Sequence, residues 1–134
     1  MKYFFILFFS VSLYSIELTP SPLNASLYFI SPSNDESING KVKVRFGLEN
    51  FGVAPAGIQM QDTGHHHLII DADLPALNRP IPADSNYIHF GKGQTEVELE
   101  LSKGPHTLQL LLGDFRHIPH NPPIISKRIK VYVD

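Results

Sequence analysis

The sequence predicts an all-β fold of about seven short strands, on the basis of three observations. Apolar and polar residues alternate with a period of two in several segments, turn-forming residues separate these segments, and no useful length of chain has the apolar repeat of an amphipathic helix. Seven short strands in roughly 119 residues are typical of an antiparallel β-sandwich of immunoglobulin-like type. A small barrel is the alternative architecture.

The individual strands follow from their apolar patterns. The clearest alternation is in residues 41–48, where Val42, Val44 and Phe46 share one face and basic side chains share the other. The other six predicted strands are residues 26–30, 66–71, 87–90, 95–101, 106–112 and 129–133. Residues 72–86 contain three prolines and therefore predict a long, stiff loop.

The first 15 residues have the pattern of a signal peptide. Lys2 is followed by a mostly apolar run of about a dozen residues, and the small Ser15 comes before the polar Glu17. This predicts a signal peptide at residues 1–15 and a single domain at residues 16–134, periplasmic or secreted. The alternative is an uncleaved N-terminal anchor. We expect no membrane span after cleavage, because no second stretch is long and apolar enough.

The composition excludes several classes of function. Lys and Arg number 11 against 13 Asp and Glu, with no basic stripe, which argues against a nucleic-acid partner. The chain has no cysteine, which excludes thiol redox chemistry and thiolate metal sites. It also lacks the Gly-x-Ser-x-Gly motif of serine hydrolases and a phosphate-binding glycine loop. The sequence therefore favours a binding protein over an enzyme.

Seven histidines are the main chemical signal in the sequence. If consecutive strands run alternately up and down, three places share one end of the sandwich. These are the start of strand 66–71, the end of strand 87–90 and the loop that follows strand 106–112. We therefore expect six histidines to cluster at this edge and His106 to lie at the opposite end. The six are His65, His66, His67, His89, His117 and His120.

Strand parity divides the triple histidine between two faces. Leu68 and Ile70 are expected to face the core, so His66 faces inward with them. His65 and His67 then lie together on the other face, where two imidazoles separated by one residue can share a metal ion.

The sequence therefore predicts a site for a divalent transition metal, copper or zinc, because neutral imidazole suits these ions. A second histidine pair, at residues 117 and 120, flanks the rigid Pro119. The predicted ligands are His65, His67, His89, His117 and His120. We expect His66 and Asp114 to lie beside the ligands, with Asp114 orienting an imidazole or supplying an oxygen.

Three functions are compatible with this pattern. The first is a metal-binding protein for carriage or buffering, with the ion as its partner. The second is a non-enzymatic interaction module of the cell envelope, in which the histidines are structural and hold the Asp114 loop for a protein or glycan partner. The third is a metal-dependent enzyme, which needs an open coordination position in a cleft.

Several motifs resemble one bacterial family and cover most of the chain after residue 15. They include GVAPAG at residues 52–57, GHHHLIID at 64–71, HFGKGQTE at 89–96 and HIPH at 117–120. The sequence resembles domain-of-unknown-function family 4399, whose members look like exported envelope proteins. The resemblance implies export, and it implies that the histidines belong together as a set. It implies no substrate.

Overall fold

The computed structural model describes residues 9–134, and these residues form nine β-strands and no helix. The strands are β1 (Ser26–Ser31), β2 (Glu36–Ile38), β3 (Val42–Glu49), β4 (Gly52–Val53), β5 (Thr63–Ile70), β6 (Tyr87–His89), β7 (Glu96–Leu99), β8 (Gly104–Gly113) and β9 (Ile129–Val133). All seven predicted strands are present, and the short β2 and β4 are additional. Of the predicted signal peptide at residues 1–15, residues 1–8 lie outside the described part. Within the described residues, no helix is long and apolar enough to cross a membrane.

The strands form two sheets. The smaller sheet has the order β1-β3-β7 and is antiparallel, and the larger has the order β2-β9-β8-β5-β4, with β6 also paired to β5. Within the larger sheet, β2 runs parallel to β9 and β4 runs parallel to β5, whereas β8 is antiparallel to both of its neighbours. The prediction of an all-β, immunoglobulin-like sandwich is confirmed.

The main core lies between the two sheets and explains the alternating patterns. On β3, Val42 and Val44 are completely buried, whereas Arg45 faces outward and pairs with Glu96 of β7, with 3.7 Å between Nε and Oε2. In the smaller sheet, side chains thus alternate between a face that packs on the core and a face exposed to solvent, as a period of two requires.

Strand β5 differs because both of its faces are buried. Leu68 and Ile70 belong to the main core, while Ile69 points to the other side and forms a second apolar cluster with Ile81 and Leu111. Ile81 comes from the long loop between β5 and β6, which therefore covers the outer face of the larger sheet. Side chains on that face of β5 are enclosed and do not lie at an open edge of the sandwich.

Candidate metal centre

Strand register brings histidines from three parts of the chain together. Strand β6 pairs His89 with His67 of β5, and β8 pairs Gly113 with His65. Because β8 ends at Gly113, the loop that follows it begins next to His65, and His117 lies on this loop. The sequence predicted that these segments meet at one end of the sandwich, and the strand pairing confirms that they meet.

His65, His67, His89 and His117 form one contact group, which we call the histidine cluster. Ligand atoms of His65, His67 and His117 all lie within 4.8 Å of one another. The Nε2 atom of His65 is 2.9 Å from Nδ1 of His117. The ring of His89 has its centroid 4.3 Å from that of His67 and 4.8 Å from that of His117.

The spacing of the three converging histidines suits a metal ion. With metal–nitrogen distances of about 2.0–2.1 Å, two ligand nitrogens lie about 2.9 Å apart at a right angle and about 3.4 Å apart at a tetrahedral angle. The separation of 2.9 Å between His65 and His117 is already of this size. The other separations do not exceed 4.8 Å, which is about 1.4 Å more than the tetrahedral spacing.

Burial keeps these imidazoles neutral at physiological pH. The side chains of His65 and His67 are fully enclosed. Burial lowers the pKa of His65 to about 4 and that of His67 to about 2, and neighbouring histidines add to both effects. Burial also lowers the pKa of His117. Neutral imidazole is the form that binds a metal ion, so no proton has to leave before these residues coordinate.

Several buried ring nitrogens of the cluster have no hydrogen-bond partner among the described residues. These atoms are Nδ1 of His65 and both ring nitrogens of His67. Buried polar atoms in folded proteins nearly always have a partner, because losing water without replacement costs about 1–3 kcal/mol. A neutral imidazole has a lone pair on only one ring nitrogen, so a bound cation would supply a partner for one nitrogen of each ring.

Asp114 shapes the loop that carries His117. Its Oδ1 accepts hydrogen bonds from the backbone N–H groups of Arg116 (2.8 Å) and Ile118 (3.0 Å), and its Oδ2 accepts one from Thr19 Oγ1 (2.7 Å). Burial alone would raise the pKa of Asp114, but these hydrogen bonds hold it below its usual value. His117 closes the turn by donating its backbone N–H to the Asp114 carbonyl, at 2.9 Å.

This role of Asp114 differs from the expected one. We predicted that its carboxylate orients an imidazole or binds the ion, but its hydrogen bonds go to Thr19 and to Arg116 and Ile118 of its own loop. Asp114 therefore positions His117 through the backbone. Sequence reasoning missed Thr19, which is too far away along the chain to be linked to the site by spacing.

Gly113 is a second residue that sequence reasoning missed. A Cβ atom at this position would lie only 2.5 Å from Cε1 of His67 and 3.4 Å from the carbonyl carbon of His117. Only glycine leaves room for these two histidines. A glycine that ends an apolar strand just before an aspartate is the sequence signal for such a close approach.

The expected cluster of six histidines is in fact a cluster of four, because His66 and His120 lie elsewhere. His66 faces the core, as strand parity predicted, and its ring packs 4.8 Å from that of Phe46. His120 packs against Phe51, 5.1 Å between ring centroids, and its Nε2 donates to the carbonyl of Thr63 at 3.2 Å. Parity could place His66, but it could not place the loop residue His120.

His106 lies at the other end of β8, as predicted. Its Nδ1 is 2.6 Å from Oδ2 of Asp71, and its Nε2 donates to the Ser102 carbonyl at 2.7 Å. Burial is the largest single effect and lowers the pKa of His106, but the hydrogen bonds to Asp71 and to the Ser102 carbonyl, together with the charge of Asp71, raise it above the usual value. Both ring nitrogens have partners, so His106 has a structural role.

Comparison with known proteins identifies the family. The sequence profile described as "Domain of unknown function (DUF4399)" matches residues 44–134. The chain belongs to the DUF4399 family. The region matched to DUF4399 contains the whole histidine cluster together with Gly113 and Asp114. No curated protein and no solved structure matches the chain.

Proposed function

We propose that this DUF4399 protein binds one divalent transition-metal ion, copper or zinc, through His65, His67 and His117, and that it carries or buffers this ion outside the cytoplasm. One observation carries the proposal. Three imidazoles from two distant segments bring ligand atoms within 4.8 Å of one another, and buried nitrogens of two of them have no partner among the described residues.

The chemistry of the ligand set supports copper or zinc. The converging atoms are all imidazole nitrogens, and the chain has no cysteine to supply a thiolate. Nitrogen ligands suit Zn²⁺ and Cu²⁺, whereas Ca²⁺ and Mg²⁺ prefer oxygen. Three protein ligands leave a further coordination position for water or for a group on a receiving partner.

Carriage or buffering suits the site better than turnover. A cavity of about 590 Å³ near Asp114 has the size of a small-molecule site. It is lined by the segment 19–22, the segment 58–63, Asp114 and Phe115, and by none of the cluster histidines. A substrate in this cavity would contact none of the cluster histidines.

The proposed location rests on the N-terminal sequence. The signal-peptide pattern at residues 1–15 is of the kind that directs a chain out of the cytoplasm. A carrier that binds its ion through histidines alone needs no cysteine, and the chain has none. Fractionation of the producing bacterium, together with N-terminal sequencing of the exported protein, tests this part of the proposal.

Metal analysis tests the site itself. Protein exported to the periplasm is analysed for metals, then stripped and titrated near pH 7 with Cu²⁺ and with Zn²⁺ in competition with a chromophoric chelator. We expect one ion per chain and submicromolar affinity for at least one metal, roughly −8 kcal/mol or stronger. His67→Ala should weaken binding by more than about 100-fold, which exceeds the usual effect of losing a residue that only orients a ligand.

His106→Ala is the matched control. It removes the same side chain at the opposite end of the same sheet, where both ring nitrogens have protein partners, and should leave metal affinity unchanged. If the unaltered protein binds neither ion, or if both variants weaken binding equally, the proposed function is wrong.

One observation favours a structural role for the histidines, as in the envelope interaction module. His65 and His117 are within hydrogen-bond distance, so this pair can fasten the Asp114 loop to β5 without an ion. In that case a chelator leaves the melting temperature unchanged. Under the metal proposal, saturating metal raises the melting temperature, because the ion binds only the folded state.

A further inference from the structure

The histidine cluster has an enclosed side and an accessible side. His65 and His67 on β5 are fully buried, whereas His89 and His117 are partly exposed. The rings form a continuous path, with 4.8 Å between the centroids of His89 and His117, 4.3 Å between His89 and His67, and 4.7 Å between His117 and His65. Within the cluster, an ion from solvent meets the partly exposed pair before the buried pair.

The loop between β5 and β6 packs on the outer face of β5 and holds both accessible histidines. Its Ile81 side chain packs on Ile69 beside the cluster, and its Ile81 N–H donates to the His117 carbonyl at 2.8 Å. The next residue, Pro82, accepts a hydrogen bond from Nε2 of His89 at 3.0 Å. These two hydrogen bonds hold His89 and His117 on the partly exposed side of the cluster.

The hydrogen bond to Pro82 also fixes which nitrogen of His89 is free. A carbonyl oxygen only accepts, so Nε2 must carry the proton in this contact. In the neutral ring the lone pair is then on Nδ1. Metal-binding histidines commonly have this arrangement, with one ring N–H held by a carbonyl and the other nitrogen available to the ion.

We propose that His89 is a capture ligand that exchanges the ion between solvent or a partner and the three-histidine site. This inference rests on the proposed function. The incoming ion replaces one bound water by Nδ1 of His89 and another by His117, and then exchanges His89 for the buried nitrogens of His65 and His67. Release follows the same steps in reverse, so the ion keeps at least two protein ligands while it moves between the accessible pair and the three-histidine site.

The geometry distinguishes a capture role from permanent coordination. The three ligand atoms that converge within 4.8 Å belong to His65, His67 and His117, and His89 is outside this set. Loss of His89 should therefore leave the equilibrium site intact. Without His89, the activation barrier between the free and the bound ion should be higher, so binding and release should slow to a similar extent.

Rapid-mixing kinetics with the full exported protein test this inference. His89→Gln keeps an amide N–H that can donate to the Pro82 carbonyl but removes the imidazole, and His106→Gln is the matched control. We expect His89→Gln to slow Cu²⁺ or Zn²⁺ association, and transfer to a chelator, by about tenfold or more, while Kd changes by less than about threefold. The control should match the unaltered protein in both measurements.

The outcomes separate the two proposals. If His89→Gln leaves the association rate unchanged, His89 does not capture the ion. If it weakens equilibrium binding as strongly as His67→Ala, His89 is a permanent ligand, and the capture role is wrong although the metal site stands. If the unaltered protein binds no metal at all, the proposed function itself fails and the inference fails with it.

Discussion

The two ends of the β5–β8 strand pair both contain histidines, but in opposite environments. At the end where β8 begins, His106 has a carboxylate on one ring nitrogen and a carbonyl on the other, and its pKa is raised. At the end where β8 finishes, His65 and His67 are enclosed beside other histidines, and burial lowers the pKa of both. The same residue type has a partner on both ring nitrogens in one place, and in the other it has buried ring nitrogens with no partner among the described residues.

This difference shows that the number of histidines does not define a site. The neighbours supplied by other parts of the chain decide the role, since a hydrogen-bonded carboxylate favours the protonated form of a histidine and raises its pKa. Enclosure among other imidazoles lowers the pKa of His65 and His67 and leaves Nδ1 of His65 and both ring nitrogens of His67 without a hydrogen-bond partner among the described residues. Three experiments test this contrast, in order of decreasing expected effect.

The largest effect should come from filling the space that Gly113 leaves for the cluster. In Gly113→Ala the new methyl group would lie 2.5 Å from Cε1 of His67, in a contact that forces the ring to move. We expect the free energy of unfolding to fall by about 1–3 kcal/mol, as is usual for overpacked interiors. Metal affinity should fall by more than about tenfold, measured by chelator competition.

Gly91→Ala is the control for Gly113→Ala. At Gly91 an added Cβ would make only a 3.4 Å contact with the side chain of Ala56. Stability and metal affinity should remain close to those of the unaltered protein. Unchanged metal affinity in a folded Gly113→Ala protein would contradict the assignment of His67 as a ligand.

An intermediate effect on the free energy of unfolding should follow from replacing histidine by leucine, with opposite signs at His66 and His106. His66 is buried against Phe46 with neither ring nitrogen bonded, so His66→Leu should raise the free energy of unfolding at pH 7 by about 1 kcal/mol or more. His106→Leu breaks two hydrogen bonds and should lower it. Urea unfolding of both variants measures the difference, and a lower stability for His66→Leu would show that His66 has an unrecognised partner.

The smallest effect should be the pH dependence of the His106–Asp71 pair. The pKa of His106 is raised in the folded state, so the pair contributes fully below about pH 6.5, the unfolded value, and its contribution is lost as pH rises through the folded pKa. Asp71→Asn tolerates the positive φ of 52° at this position. We expect it to lower stability by less than about 1 kcal/mol at pH 6, because the Asp71 side chain is 42% exposed, and by less at pH 9. An equal loss at both pH values would exclude the ion pair as the cause.

Sequence patterns predicted the strands well and the site in part. Alternation located β3, β7 and β9, and strand parity separated His66 from His65 and His67, because both depend on the local period of a strand. The loop residue His120 was expected in the cluster, but its ring lies against Phe51. No periodicity governs the path of a loop, so the loop histidines were the hardest to place.

The sequence by itself determined the fold class, the strand positions and which face of β5 each histidine occupies, because these follow from backbone geometry over a few residues. The tertiary structure alone decided that four of the six expected histidines form the cluster, that Gly113 makes space for His67 and His117, and that the loop bearing Ile81 packs on the outer face of β5. Those contacts depend on strand pairing and loop packing between segments far apart in the chain. Such contacts are set by the packing of the whole domain and leave no local pattern in the sequence.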